Sequence, residues 1–344
     1  MGEVITRVVA IDPTRPDPAA IAEAAALICA GQLVAFPTET VYGLGADGLN
    51  PIALGRIYTV KGRPPDNPLI LHIASLEQLP LVADIPEMAH RLVQAFWPGP
   101  LTLILPRTSC VPDLATAGLT TVAVRMPDHH VALALIDAVE RPVAAPSANR
   151  SGLPSPTTAQ HVFNDLRGRI PLILDAGSSR IGLESTVLDA TCLPPVILRP
   201  GGICREAIEA VVGPLQEIAS VAQQRRSPGT RYRHYSPKAR VLLVEDSQAE
   251  ALQAAVANAL QQSARVGCLL HRLKPDHLPA LVAITRIRGS VADYAQGLFA
   301  ALRALDGLGL EVIVVEGVEE QGLGVAVMDR LRRAASPSSP PEVT

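Results

Sequence analysis

Short aliphatic runs recur along this chain at two different spacings, and that pattern restricts it to an α/β architecture. VITRVVAI (4–11), LVAF (33–36), LILHI (69–73), LTLIL (101–105), TVAVRM (121–126), PVAA (142–145), PLILD (171–175), STVLD (185–189) and PVILR (195–199) read as strands. The stretches at 18–30, 51–61, 129–139, 157–166 and 204–213, and one reaching Phe96, read as helices. The first follows Pro16-Asp17-Pro18 and stops at Gly31, and the second carries Pro51 in its first turn. Some strands lie too close together for a parallel crossover, which takes a dozen or more residues. The sheet is therefore expected to be mixed. Aromatic residues make up only 3% of the chain, so Ala, Leu, Ile and Val must build the core.

A length of 344 residues favours two domains. Residues 1–213 form the first, and 214–239 read as a connector. This connector and the residue after it hold Arg225, Arg226, Arg231, Arg233, Lys238 and Arg240 against the single acid Glu217, with Tyr232 and Tyr235 among them. A simple tether needs no aromatics, so the segment is expected to fold over something anionic. From 240 to 333, RVLLVED, a helix over 247–261, RVGCLL, LVAITRI and LEVIVVEG repeat a strand–helix spacing. They predict a smaller doubly wound, Rossmann-like parallel sheet. The Ser/Pro-rich end, 334–344, reads as a disordered tail.

A net charge of −3 gives no global attraction to nucleic acid or membrane, so any anion site must come from local clustering. The five cysteines are dispersed and form no C-x-x-C, which suits a reducing compartment. No apolar run approaches the roughly 20 residues that span a bilayer. The N-terminus lacks a signal-peptide pattern, and a cytoplasmic protein is expected. Asn149-Arg150-Ser151 is a formal glycosylation sequon that carries no weight in that setting.

Two motifs mislead. Gly43-Leu44-Gly45-Ala46-Asp47-Gly48 has dinucleotide-fingerprint spacing, but Pro37 to Tyr42 separate it from the preceding strand and Asn50-Pro51 follow it. His129-His130 are adjacent, which suits an exposed helix start better than a metal site. Neither a P-loop nor a hydrolase nucleophile elbow is present.

Polar clusters interrupt the aliphatic sequence where a core does not need them. PTETVYGLGAD (37–47) puts Thr38, Glu39, Thr40 and Tyr42 into a glycine-rich loop after a buried strand, where α/β proteins place ligand contacts. In KGRPPDNPLILHI (61–73), Lys61 and Arg63 flank Gly62, and two close cations suit a phosphate between them. His72 points away from Leu71 and Ile73. Arg125 interrupts an apolar strand and needs a carboxylate or phosphate partner. APSANRSGLPSPT (145–157) offers Ser147, Asn149, Ser151 and Ser155, while Ser185 and Arg199 sit at strand ends. Together these residues suit a site that binds several anions through neutralisation and positioning.

Taken in order, PTETVYGLGAD, KGRPPDNPLILHI, FWPGPLTLIL, AVRMP, APSANRSG, ESTV and LRPGGI resemble the YrdC-like domain. SPGTRYRHYSPKARV and the α/β segment after it resemble the long, two-domain form of the threonylcarbamoyl-AMP synthase family, over roughly residues 5–333. The resemblance implies a YrdC-like mixed twisted sheet and a nucleotidyltransferase that condenses L-threonine, bicarbonate and ATP to threonylcarbamoyl-AMP and pyrophosphate. The product would feed downstream tRNA-threonylcarbamoyl transferase machinery. By resemblance, Lys61, Arg63, Ser147 and Asn149 match the family's nucleotide signature, with Lys61 and Arg63 catalytic. Thr38, His72, Arg125, Ala145 and Ser185 match threonine-holding positions, and Thr121, Ser155 and Arg199 match further ATP positions. Tyr235 matches a linker tyrosine that reaches the nucleotide, which would make 214–239 a lid. Mg²⁺ is expected on the phosphates of ATP, with no protein metal site. An alternative is an RNA-binding module using a cationic concave surface, but the net charge and scarce aromatics weigh against it, and no stable nucleic-acid binding is expected. A carbamoyl transferase on the same fold would carry zinc-finger and acylphosphatase-like modules that this sequence lacks.

Overall fold

In the first of two compact units the aliphatic runs assemble into one ten-stranded mixed sheet. The structure is a computed structural model and describes residues 4–229, 234–245, 248–262, 265–276 and 278–336. The first unit holds the described residues up to Ser151 and from Ser155 to Gly229. The second holds Gly152–Pro154 and the described residues from His234 onward. The expected connector is thus divided between them.

The ten strands are β1 (Arg7–Ala10), β2 (Val34–Phe36), β3 (Gly43–Asp47), β4 (Ile70–His72), β5 (Leu101–Pro106), β6 (Thr121–Arg125), β7 (Val143–Ala144), β8 (Leu172–Asp175), β9 (Thr186–Asp189) and β10 (Val196–Arg199). Their order is β1-β8-β2-β3-β7-β4-β6-β5-β9-β10. β1–β8, β8–β2, β4–β6 and β5–β9 are parallel, and the other neighbours are antiparallel.

Helices cover both faces. Pro18–Cys29 and His130–Val139 bury Ile21, Ala24 and Ile28, and Val131 and Leu135, with Phe36, Val143 and Leu174. The alanines let these two helices approach closely, which suits a core poor in aromatics. Across the sheet, Pro51–Lys61, Glu87–Phe96 and Ala159–Leu166 pack against Ala35, Leu44, Leu71 and Leu103. Burying each such Leu or Ile stabilises the fold by about 1.5–3 kcal/mol. The helix start signals act as expected. The Asp17 carboxylate accepts from Ala19 N, and the Asn50 Oδ1 accepts from Ile52 and Ala53 N–H. Gly31 follows the first helix with a left-handed φ of 74°.

Two expectations fail in the first unit. The glycines at 43–48 do not end a loop: Gly43–Asp47 is a central, fully buried strand pairing with β2 and β7. The glycines clear space for neighbours. A Cβ on Gly45 would stand 2.9 Å from the Phe36 ring, and one on Gly48 would stand 2.7 Å from Pro142 O. His129 also departs from expectation: it is half-buried, and its Nδ1 caps the helix by accepting from Val131 N–H at 3.2 Å.

The second unit is a parallel four-stranded sheet of β11 (Arg240–Val244), β12 (Val266–Leu270), β13 (Ala283–Arg286) and β14 (Val312–Glu316), in the order β11-β14-β12-β13. The helix Ala249–Gln262 covers the face of Val266, Cys268, Val312 and Val314. Val291–Gly307 packs on β12 and β13, and Leu323–Ala335 packs on β11. The last helix therefore runs into the segment expected to be tail, of which residues 337–344 lie outside the described residues. No helix among the described residues is long and apolar enough to cross a membrane.

Candidate active site

The period-2 alternation of four adjoining strands builds a polar face. Leu71, Leu101, Leu103, Val122, Val124 and Leu188 point into the main core. The intervening residues turn the other way, where Ile70, Ile104, Ala123 and Val187 form a small apolar floor. His72, Thr102, Thr121, Arg125 and Ser185 share that second face, and His72 and Arg125 are register partners. By strict alternation Arg199 would follow Ile197 into the core. A register irregularity between Ile197 and Arg199 turns it instead onto Ser185. Its Nε and Nη2 donate to Ser185 O at 3.2 and 2.9 Å, and Nη1 donates to Pro228 O at 3.1 Å. The Ser185 hydroxyl also lies 2.7 Å from Thr102 Oγ1.

Arg125 finds the carboxylate that a buried arginine requires in Glu39, at 2.6 Å, with both side chains almost wholly buried. Its Nε donates to Gly99 O at 3.1 Å and its Nη1 to Thr40 Oγ1 at 2.9 Å. Thr40 Oγ1 lies 2.8 Å from Thr38 Oγ1, and the Thr38 hydroxyl donates to Val41 O at 2.6 Å. Thr38 therefore shapes the turn of its own loop. Ile181 and Gly182 N–H donate to Glu39 O and Thr40 O and pin that loop from outside.

His72 stands edge-on to Phe36 with ring centroids 6.5 Å apart. Burial, helped by the Arg125 charge, holds its pKa down to about 3, so the ring is neutral. Its Nδ1 has no hydrogen-bond partner among the described residues, and the same is true of Glu39 Oε2 and Asn67 Nδ2.

Lys61 and Arg63 are both buried, and backbone carbonyl dipoles hold each of them. Lys61 Nζ donates to Ser147 O and Asn149 O. Ser151 N–H returns to Lys61 O, which closes the 147–151 loop on the helix end. Arg63 donates to Asn67 O, Asn67 Oδ1 and Pro68 O. Asn67 Oδ1 also accepts from Gly229 N–H at 2.9 Å, so the connector meets the same amide that holds Arg63. The Ser147 hydroxyl donates to Asn149 Oδ1 at 2.6 Å. Ala145 packs beside Gly43 and donates its N–H to Ile70 O. Ser155 Oγ donates to the buried carboxylate of Glu184.

The four cations, none more than 8% exposed, and their hydroxyl neighbours thus lie in the first unit. Tyr235 is described within the second unit. It has a left-handed φ of 64°, its ring stacks on Phe299 at 5.3 Å, and the Arg330 guanidinium lies 5.2 Å above it. Sequence reasoning left Glu39, Asn67, Thr102 and Glu184 unassigned. Only Glu39, a carboxylate amid apolar and hydroxyl residues, gave a visible signal.

This fold and site define a two-unit α/β protein whose larger unit buries cations beside hydroxyl groups. Residues 26–201 match the Sua5/YciO/YrdC family, described as telomere recombination. Residues 203–336 match the threonylcarbamoyl-AMP synthase C-terminal domain. The threonylcarbamoyl-AMP synthase of Pyrococcus abyssi is 50% identical over 91% of this chain and 93% of its own. That of Bacillus subtilis is 48% identical over 92% of each. The crystal structure of P. abyssi Sua5 complexed with L-threonine superposes with a TM-score of 0.90 at 47% identity, covering 96% of this chain and 97% of that one. The chain belongs to the threonylcarbamoyl-AMP synthase family, in its two-domain form.

Proposed function

We propose that this chain is a nucleotidyltransferase that condenses L-threonine, bicarbonate and ATP to threonylcarbamoyl-AMP and pyrophosphate. The observation that carries this reading is that Lys61, Arg63, Arg125 and Arg199 are all buried in the first unit, with Lys61 bonded to Ser147 O, Arg125 to Thr40 Oγ1 and Arg199 to Ser185 Oγ. A carbamate and a triphosphate brought together repel each other, by about 4 kcal/mol per charge pair at 4 Å near a protein surface, unless cations offset it. The carbamate supplies its own nucleophilic oxygen, so the protein needs to neutralise, orient and exclude water.

In this assignment Lys61 and Arg63, with Thr121, Ser147, Asn149, Ser155 and Arg199, hold ATP. Thr38, His72, Arg125, Ala145 and Ser185 hold threonine, and neutral His72 accepts a hydrogen bond rather than adding charge. Mg²⁺ arrives on the phosphates as part of the substrate. The 214–239 segment acts as a lid through Tyr235, a role supported by the Gly229 and Pro228 contacts to Asn67 and Arg199. The product passes, in the cytoplasm, to the machinery that modifies tRNA. Direct RNA binding is not favoured, because buried cations offer no surface to a polyanion.

The test is pyrophosphate release from ATP with threonine and then bicarbonate left out. Release should require both. Release that ignores either omission would overturn the reading.

A further inference from the structure

We propose that Glu39 is the group that recognises the α-ammonium of the substrate, so that the site selects an amino acid over the corresponding hydroxy acid. This rests on the threonine reading of Arg125 and its neighbours. Glu39 is 1% exposed, and its backbone is fixed by Ile181 N–H at 2.8 Å. One carboxylate oxygen faces Arg125 Nη2 at 2.6 Å, while Oε2 has no partner among the described residues. A buried carboxylate oxygen with no donor is costly, and native structures rarely leave one so.

Arg125 has capacity to spare as well. The guanidinium carries five N–H groups, and its contacts to Gly99 O, Thr40 Oγ1 and Glu39 account for three of them among the described residues. Two opposite charges, each incompletely used and in contact, match a molecule whose own opposite charges are one carbon apart. An α-amino acid zwitterion is such a molecule: its carboxylate suits Arg125 and its ammonium suits Glu39. Were the site built for a carboxylate alone, Glu39 would repel it and weaken Arg125. Glu184, the other buried carboxylate of the site, already accepts from Ser155 Oγ, whereas Glu39 sits against Arg125 with Oε2 unpartnered among the described residues, so Glu39 is the one placed to attract a positive ligand group beside Arg125. Fixing the nitrogen also fixes where the bicarbonate carbon has to be met.

A simpler role, in which Glu39 only neutralises Arg125, makes a different prediction. The experiment is calorimetric titration of the full-length protein and of Glu39→Gln with L-threonine and with 3-hydroxybutanoate. The second ligand keeps the carboxylate and hydroxyl and lacks only the amine. A hydrogen bond to a charged partner sets the expected scale, so wild type should prefer threonine by about 10- to 100-fold and Glu39→Gln should lose most of that preference. If both ligands weaken by the same factor, Glu39 acts only through Arg125 and the proposal fails. Unchanged ATP affinity in the variant reports that the site is folded. Should Glu39→Gln not fold, the wild-type pair alone decides, because equal affinity for the two ligands overturns the assignment. Wild type that binds ATP but not threonine would sink the underlying threonine reading instead, and the proposal with it.

Discussion

Glu39 in the first unit and Glu316 in the second are both buried glutamates, yet their surroundings treat them differently. Glu316 ends β14 and is 0% exposed. Its Oε2 accepts from His271 N–H at 2.7 Å and Leu273 N–H at 3.1 Å, and Oε1 accepts from Arg272 N–H at 3.1 Å. In doubly wound sheets, ligands bind beyond the carboxyl ends of the strands. Here the protein fills that place with its own side chain, which ties the 271–273 turn to the sheet. Glu39 has one oxygen on Arg125 and the other without a partner among the described residues. A buried charge is therefore no functional sign by itself; what separates the two is whether the hydrogen-bonding capacity has been used up. His72 Nδ1 and Asn67 Nδ2 fall on the same side of that division as Glu39.

The largest effect that would sharpen this contrast is on turnover. Lys61→Ala and Arg63→Ala should each slow pyrophosphate release by about 10²–10³, the scale of removing one preorganised stabilising group. Their circular dichroism should stay wild-type. Near-normal turnover in both would break the assignment of the first unit.

Glu316→Gln should do the reverse. An amide in that place turns an N–H toward backbone donors, leaves at least one of them unpaired and costs about 3 kcal/mol. The urea midpoint should fall, while turnover measured well below the lowered melting temperature stays normal. A lost activity with an unchanged midpoint would erase the distinction between the two units.

The smallest effect is the pH dependence of stability at His72. The folded ring has a pKa of about 3 against an ordinary 6.5, so between those values the unfolded chain binds a proton that the folded one does not. The stability is fully present above about 6.5 and is lost as the pH falls, with a slope approaching 1.4 kcal/mol per unit. His72→Gln removes this contribution. Its urea midpoint relative to wild type should therefore improve progressively from pH 7 to 4.5. A constant offset would show that the ring is not kept neutral.

Most elements were legible because their signals are local. Asp17, Asn50 and Pro51 mark helix starts, and alternating Val and Leu marks strands with one buried face. The strand Gly43–Asp47 was not legible. Glycine marks both a turn and a place where neighbours crowd in, and only the Phe36 ring and Pro142 O show which one applies. The site divides in the same way. Arg125 in an apolar strand announced that it needed a partner, but that partner, Glu39, lies far away in sequence. The cations at 61 and 63 suggested an anion between them, and the structure adds the carbonyls of Ser147, Asn149, Asn67 and Pro68 that hold them. The turn of Arg199 onto Ser185 depends on a register irregularity that no periodicity rule foresees.

By itself, then, the sequence determined which segments are helices and strands, that the sheet is mixed, and that cations and hydroxyls gather in the first 200 residues. Those properties follow from side-chain period, capping chemistry and local composition. The tertiary structure alone decided which cation meets which oxygen and which buried carboxylate keeps an oxygen without a hydrogen-bond partner among the described residues. Those outcomes depend on strand order and register, which bring together residues that no local interaction connects.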